Sequence, residues 1–373
     1  MSLRLMLALV LASGCGARTG LEIPEFSMDA GLGRDTETRD VSDRSDVPVF
    51  LDVPDVPDVA PDVTACPPMP VVLVRTDVET VFLIDGSGSM GTTWEGLPGG
   101  GGLPTRWEIV RDTLGSVLPP FDAQLAIGGK IFPDDGECRV DVGFDVPPHL
   151  GATSELLALF DRWIPEGGTP TAEALRRVLE IPSASPRVVI ATLDGGPNCN
   201  PDAGVPPDTC VCTSTRRACL RDAGACLDAA GTLDVVRMAY DELDVPVVVV
   251  GIDDPTRPDL SDFLDDMAVA GGWPLPPGGR RFYNAREPDD LRVAFAEIAD
   301  IIARCVYIAP VPPPEDAAVE VRLDGVPIAR DPSHMGGWDW SSRVAGALTL
   351  FGAECDAVRA RDVEVTAEIV CRE

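Results

Sequence analysis

The chain has 373 residues, 45% hydrophobic and 24% charged, with 61 acidic against 30 basic side chains and a formal charge of -31. That balance suits about two globular domains with a sizeable core, and it excludes a nucleic-acid binder, which needs a basic footprint. A single lysine, Lys130, and two histidines, His149 and His334, exclude a polybasic membrane patch and a site built from several histidines.

In chain order, Arg4 precedes eight apolar residues, LMLALVLA at 5–12. The run is too short to span a bilayer, which needs about 20 residues, and it reads as an export signal. It ends in Ala-Ser-Gly-Cys at 12–15, which resembles the lipobox of bacterial lipoproteins, although Ala12 stands where leucine is commonest. That resemblance implies removal of residues 1–14 and lipid attachment at Cys15, which would anchor the chain in a membrane. Gly16 stands where aspartate is the usual inner-membrane retention signal, which implies the outer membrane.

Residues 15–65 lack hydrophobic periodicity. Between 21 and 65, twelve acidic residues stand against three arginines, a net of -9. The segment DVPDVPDVAPDV at 52–63 has period three with proline, which predicts extended polyproline II with Asp52, Asp55 and Asp58 on one edge. Separated carboxylates on a solvated rod form no cation cage. The stretch therefore reads as a stiff, self-repelling tether.

From residue 66 to 308, apolar runs alternate with amphipathic segments. Strands are predicted at 71–74, 81–84, 125–132, 187–193 and 246–252. Helices are predicted at 107–118, 153–163, 170–179, 229–243, 260–270 and 288–303. The alternation predicts an α/β fold, doubly wound, with a mostly parallel sheet covered on both faces by helices. After a VPPP linker at 311–314, residues 315–373 predict a small β domain with strands at 319–323, 347–351 and 363–370, a hairpin turn at Asp324-Gly325, and no helix.

There are eleven cysteines. Setting aside Cys15 leaves an even ten: Cys66, Cys138, Cys199, Cys210, Cys212, Cys219, Cys226, Cys305, Cys355 and Cys371. An even set in an exported chain reads as disulfides. The competing reading, zinc within the 199–226 cluster, lacks paired CxxC spacing and any histidine, and an oxidising compartment removes the thiolates that zinc needs. By position, Cys66 and Cys305 are expected to pair across the base of the α/β domain. Cys355 and Cys371 are expected to close the last hairpin, a useful staple in so small a unit.

The informative segment is VFLIDGSGSM at 81–90, where an apolar strand delivers Asp85, Ser87 and Ser89 into a glycine-containing turn. GGTPTAEAL at 167–175 presents Thr169 just before a helix, and VVIATLDGGPN at 188–198 presents Asp194 at the end of a buried strand. Ligands of open α/β sheets bind at such strand ends. DxSxS, a Gly-Gly-Thr-Pro loop and a strand ending in Asp-Gly, in that order, resemble the von Willebrand factor type A (VWA) family over about residues 70–305.

The resemblance implies a metal-ion-dependent adhesion site. Ser87 and Ser89 would ligate directly, Thr169 directly or through water, and Asp85 and Asp194 mainly through water or from behind the direct ligands. The cation would be Mg²⁺ first, with Mn²⁺ or Ca²⁺ as alternatives, since all donors are hard oxygens. Neutral hydroxyls leave much of its charge uncompensated, so the open position would take an Asp or Glu carboxylate of a protein or peptide ligand. The cysteine-rich insertion, 199–226, follows Asp194 and is expected on the rim of the same face. Arg216 and Arg217 within it, and Trp94 in the glycine-rich loop, are candidate ligand contacts.

These features predict a cell-envelope-anchored binding and adhesion module. The alternative is a structural or assembly component of the outer membrane or cell surface in which the metal matters little. An enzyme is not expected: GxSxG is absent, and no base accompanies Ser87. GxxxxGK[ST] and GxGxxG are absent too, which disfavours nucleotide binding.

Overall fold

Runs of valine, isoleucine and leucine build the centre of the molecule. The computed structural model describes residues 68–370, apart from 76–77, 100–101, 136, 184, 201, 203–205, 207, 214–218, 220, 253 and 255–256. The export signal, Cys15, the tether with Asp52, Asp55 and Asp58, Cys66, Cys371, Arg216 and Arg217 lie outside the described residues.

Strand β1 (Met69–Val71) belongs to a separate sheet. Strands β2 (Val78–Asp85), β3 (Leu125–Phe132), β4 (Val146–His149), β5 (Arg187–Leu193), β6 (Val247–Ile252) and β7 (Tyr283–Ala285) form a six-stranded sheet in the order β4-β3-β2-β5-β6-β7. All neighbours are parallel except β3 and β4. Every residue of β3, β5 and β6 is buried, as both faces of a covered parallel sheet require.

The covering helices are α1 (Arg106–Val117), α2 (Thr153–Phe160), α3 (Thr171–Leu179), α4 (Ala229–Arg237), α5 (Pro258–Ala270) and α6 (Pro288–Cys305). Alternation along β2 assigns its side chains to two cores. Phe82 and Ile84 pack with Trp107 and Leu114 of α1 and Phe295 and Ile298 of α6. Val81 and Leu83 pack with Leu175 of α3, Val236 of α4 and Met267 of α5. The fold is therefore a doubly wound α/β sandwich, as the alternating pattern predicts. A capping box between Thr105 and Glu108 fixes the start of α1, and with it the position of Arg106.

Strand order also places the ligand crevice. The chain runs outward from β2 to β3 and β4 on one side, then returns to the other side for β5, β6 and β7. The winding reverses between β2 and β5, and the crevice opens at the carboxyl ends of those two strands. Asp85 is the last residue of β2, and Asp194 directly follows β5.

The C-terminal segment contains β8 (Val306–Ile308), β9 (Ala318–Leu323), β10 (Val326–Ile328), β11 (Trp338–Ser342), β12 (Ala347–Leu350), helix α7 (Gly352–Ala360) and β13 (Val365–Val370). They form two antiparallel sheets, β1-β13-β9-β10 and β11-β12-β8. The expected hairpin turn is present, with Asp324 at φ 48° and Gly325 at φ 79°. Both residues are left-handed, as a type I′ turn demands.

The structure departs from three expectations, the absence of a C-terminal helix and two cysteine pairings. A helix, α7, occupies part of a segment in which none was expected, because Cys355 and Val358 bury one side of it against Trp338, Leu350 and Val363. Cys305 pairs with Cys355, with a Cα–Cα distance of 5.4 Å, rather than with Cys66, and Cys355 is therefore not available to Cys371. The cause is burial. Cys305, the last residue of α6, is 0% exposed and enters the same core as Cys355, which is 4% exposed. Among the described residues, three further disulfides join Cys138 to Cys199, Cys210 to Cys226 and Cys212 to Cys219.

Candidate metal centre

Three segments converge in the crevice. Asp85 is fully buried, and its Oδ1 accepts the backbone N–H of Ser87 at 2.8 Å. Its Oδ2 has no hydrogen-bond partner among the described residues. The Ser87 and Ser89 hydroxyls are 2.9 Å apart, and Ser89 Oγ donates to Asp194 Oδ1 at 2.7 Å. Two hydroxyls thus bridge the space between two carboxylates at the ends of adjacent strands.

The turn can do this because Gly86 carries no side chain: a Cβ there would stand 2.6 Å from Trp163 Nε1 and 2.8 Å from Ile131 Cγ2. Backbone bonds lace the loops together. Gly88 N–H donates to the Gly167 carbonyl at 3.2 Å, and Glu166 N–H donates to the Gly86 carbonyl at 3.0 Å. Thr169 N–H donates to Asn198 Oδ1 at 2.8 Å, and Asn198 N–H returns a bond to the Thr169 carbonyl at 2.9 Å.

Ser87, Ser89 and Thr169 line a single cavity of about 580 Å³, together with the Cys138–Cys199 disulfide, Asn198, Thr213 and Asp222. The insertion therefore does border the site. Its Cys210–Cys226 and Cys212–Cys219 bridges lie side by side, which brings the sulfurs of Cys210, Cys219 and Cys226 within 4.8 Å of one another. These sulfurs are bonded in disulfides and offer no thiolate to zinc.

The electrostatics are those of an acidic pocket out of water. Burial, and then the neighbouring charge of Asp194, push the Asp85 carboxyl well above the usual carboxylate range, against the lowering effect of the Ser87 N–H. Asp194 has a cationic partner that motif reasoning passes over. Arg106 Nη1 donates to Asp194 Oδ2 at 2.8 Å, with side-chain exposures of 10% and 0%. The signal for Arg106 in the sequence is slight. It is a cation at the first position of a helix, where the helix dipole disfavours positive charge.

The residues fit a hard divalent cation. All five donors present oxygen, the only class that Mg²⁺ and Ca²⁺ accept readily. A buried carboxylate oxygen without a partner, in the field of a second carboxylate, is costly while ionised, and either protonation or a bound cation relieves that cost.

Other candidates fall elsewhere. Trp94 donates its indole N–H to the Arg286 carbonyl at 2.9 Å, packs against the α1–α6 core and is not among the residues lining the cavity. His149 contacts the Pro147 carbonyl at 2.8 Å, and His334 stacks on Phe351 with ring centroids 4.2 Å apart. Neither histidine lines the cavity.

No protein-family model and no curated protein matches the chain. Among solved structures, it is similar to the PilB minor pilin from Streptococcus sanguinis, at 16% identity and a TM-score of 0.41, covering 62% of this chain and 62% of that one. It is also similar to the von Willebrand domain of the type V pili tip protein Mfa5 from Porphyromonas gingivalis, at 14% identity and a TM-score of 0.39, covering 61% and 96%. A third is the manganese-loaded TRAP protein of Plasmodium vivax, at 15% identity and a TM-score of 0.38, covering 62% and 78%. Less than two thirds of the PilB chain is thus spanned.

Proposed function

We propose that this chain is an exported, envelope-anchored binding module of the von Willebrand factor type A kind. It would hold a divalent cation, Mg²⁺ first, at Asp85, Ser87, Ser89, Thr169 and Asp194, and present it to an Asp or Glu side chain of a protein or peptide ligand. The observation that carries this reading is the Asp85–Ser87–Ser89–Asp194 cluster at the reversal of the winding, with a buried Asp85 oxygen that has no partner among the described residues. A bound cation would supply a Lewis-acidic position for a ligand carboxylate.

The chain's own contribution is rigidity. Ser87 and Ser89 are held by the turn, and Thr169 by its paired bonds to Asn198. Four disulfides among the described residues support export to an oxidising compartment. No described helix is long and apolar enough to cross a membrane, and attachment is assigned to a lipid on Cys15, in the outer membrane. The site is read as binding rather than catalytic: among the described residues that line the cavity there is no histidine to serve the serines as a base.

The test is calorimetric titration of Mg²⁺, Mn²⁺ and Ca²⁺ into the oxidised chain and into its Asp85→Ala/Ser87→Ala variant. Saturable one-to-one binding by the wild type, lost in the variant, is expected. A folded wild type that binds none of the three cations would refute the metal centre and favour a structural role in the envelope.

A further inference from the structure

We propose that Arg106 is a built-in counter-cation of this centre, holding Asp194 in place before a metal arrives and setting how tightly the metal is held. The inference rests on the metal-binding reading above and concerns the regulation of that same site.

The two oxygens of Asp194 are divided between two partners. Oδ1 accepts from the Ser89 hydroxyl at 2.7 Å, on the side of the candidate ligands, and Oδ2 accepts from Arg106 at 2.8 Å. The ion pair is removed from water, so each charge depends on the other for compensation. Nothing in helix α1 itself calls for a cation at its first residue, where the aligned peptide dipoles oppose one. Arg106 is nevertheless fixed there. The Thr105–Glu108 capping box sets the helix start, Trp107 and Val110 pack into the core behind it, and Nη2 donates to the Trp94 carbonyl at 3.4 Å. Its Nε is buried without a partner among the described residues, so the hydrogen bonds of the guanidinium are only partly met.

Charge counting gives the consequence. With Asp85 and Asp194 ionised, two negative charges face the metal. Arg106 offsets one of them, so a bound dication remains under-compensated by one charge. Such a metal is held less tightly by the chain and attracts an external anion more strongly. Without Arg106, Asp194 becomes a buried, unpaired carboxylate until a metal binds, and the metal then meets a ligand set of matching charge. If Arg106 merely kept Asp194 in position, its loss would weaken metal binding; as a counter-cation, its loss strengthens it.

The experiment is calorimetric titration of Mg²⁺ and Mn²⁺ into the oxidised wild type, Arg106→Gln and Arg106→Lys, with thermal unfolding of each followed with and without Mg²⁺. Arg106→Gln is expected to bind either cation at least about tenfold more tightly than the wild type, since a like charge has left a poorly screened site. Its Tm is expected to be lower without metal and to rise more on adding Mg²⁺. Arg106→Lys keeps the charge and is expected to stay within about threefold of the wild type. If Arg106→Gln is unfolded without metal, adding Mg²⁺ is expected to restore its circular dichroism, and failure to refold overturns the proposal. Equal or weaker binding by Arg106→Gln, beside a wild type that binds, overturns the role given to Arg106 and leaves the metal centre standing. A wild type that binds neither cation overturns both.

Discussion

Lys130, the chain's single lysine, is 2% exposed on β3, next to the edge of the six-stranded sheet. Its ammonium lies 2.9 Å from Asp134 Oδ1 and 3.3 Å from Asp145 Oδ1. The residue is also tied to the site, because Asp134 opens the loop that carries Glu137 and Cys138. Glu137 accepts the Gly168 N–H at 2.7 Å, one residue before Thr169. Lys130→Met leaves two partly buried carboxylates without their cation and is expected to lose about 3–5 kcal/mol of stability in urea unfolding.

Asp339 shows the opposite balance. Burial would raise its pKa, but His334, the Arg330 guanidinium at 2.6 Å and the Trp340 N–H at 2.9 Å outweigh burial and hold the carboxyl below its usual range. A carboxyl depressed in the folded state contributes stability that is present above the unfolded pKa, about 3.9. That contribution is lost as pH falls through the lower folded value. Asp339→Asn is therefore expected to cost about 1–3 kcal/mol at pH 7, and the gap to wild type should narrow below about pH 4. Denaturant melts at pH 7 and at acid pH check both points.

Among the elements, α7 and the Cys305–Cys355 bridge are linked. The nine-residue helix GAECDAVRA is too short to be stable alone, since isolated helices need about 12–15 residues. It forms because Cys355 and Val358 enter a core closed by Trp338 and Leu350, and because the disulfide joins it to the end of α6 across 50 residues. Replacing both cysteines by serine is expected to lower stability by about 2–4 kcal/mol, read as a lower denaturation midpoint.

The same physics explains which elements the sequence reveals. Long apolar runs such as RVVIATL and VVVVGI declare β5 and β6 by themselves. Strands β4, with the sequence VPPH, and β7, with YNA, are too short or too proline-rich to show any period. They exist as edges because β3 and β6 offer them hydrogen bonds. The first strand is expected at the apolar run 71–74; β1 lies earlier, at Met69–Val71, and its partner is β13, almost the whole described chain away.

On the scale of the whole molecule, the position of the site follows from strand order. Asp85 and Asp194 meet because β2 and β5 are neighbours where the winding reverses, and Thr169 joins them through a loop bonded to both. The sequence by itself determined the fold class, the strand-end aspartates and serines, the Asp324-Gly325 turn and the disulfide character of the described cysteines. Each depends on local hydrophobic period, turn chemistry or simple counting. Only the tertiary structure decided that Arg106 faces Asp194, that Trp94 turns to Arg286 and that Cys305 pairs with Cys355. It also decided that β1 and β8 complete the C-terminal sheets. Each of these joins surfaces distant in sequence, and which surfaces meet is set by the packing of whole helices and sheets rather than by any local run of residues.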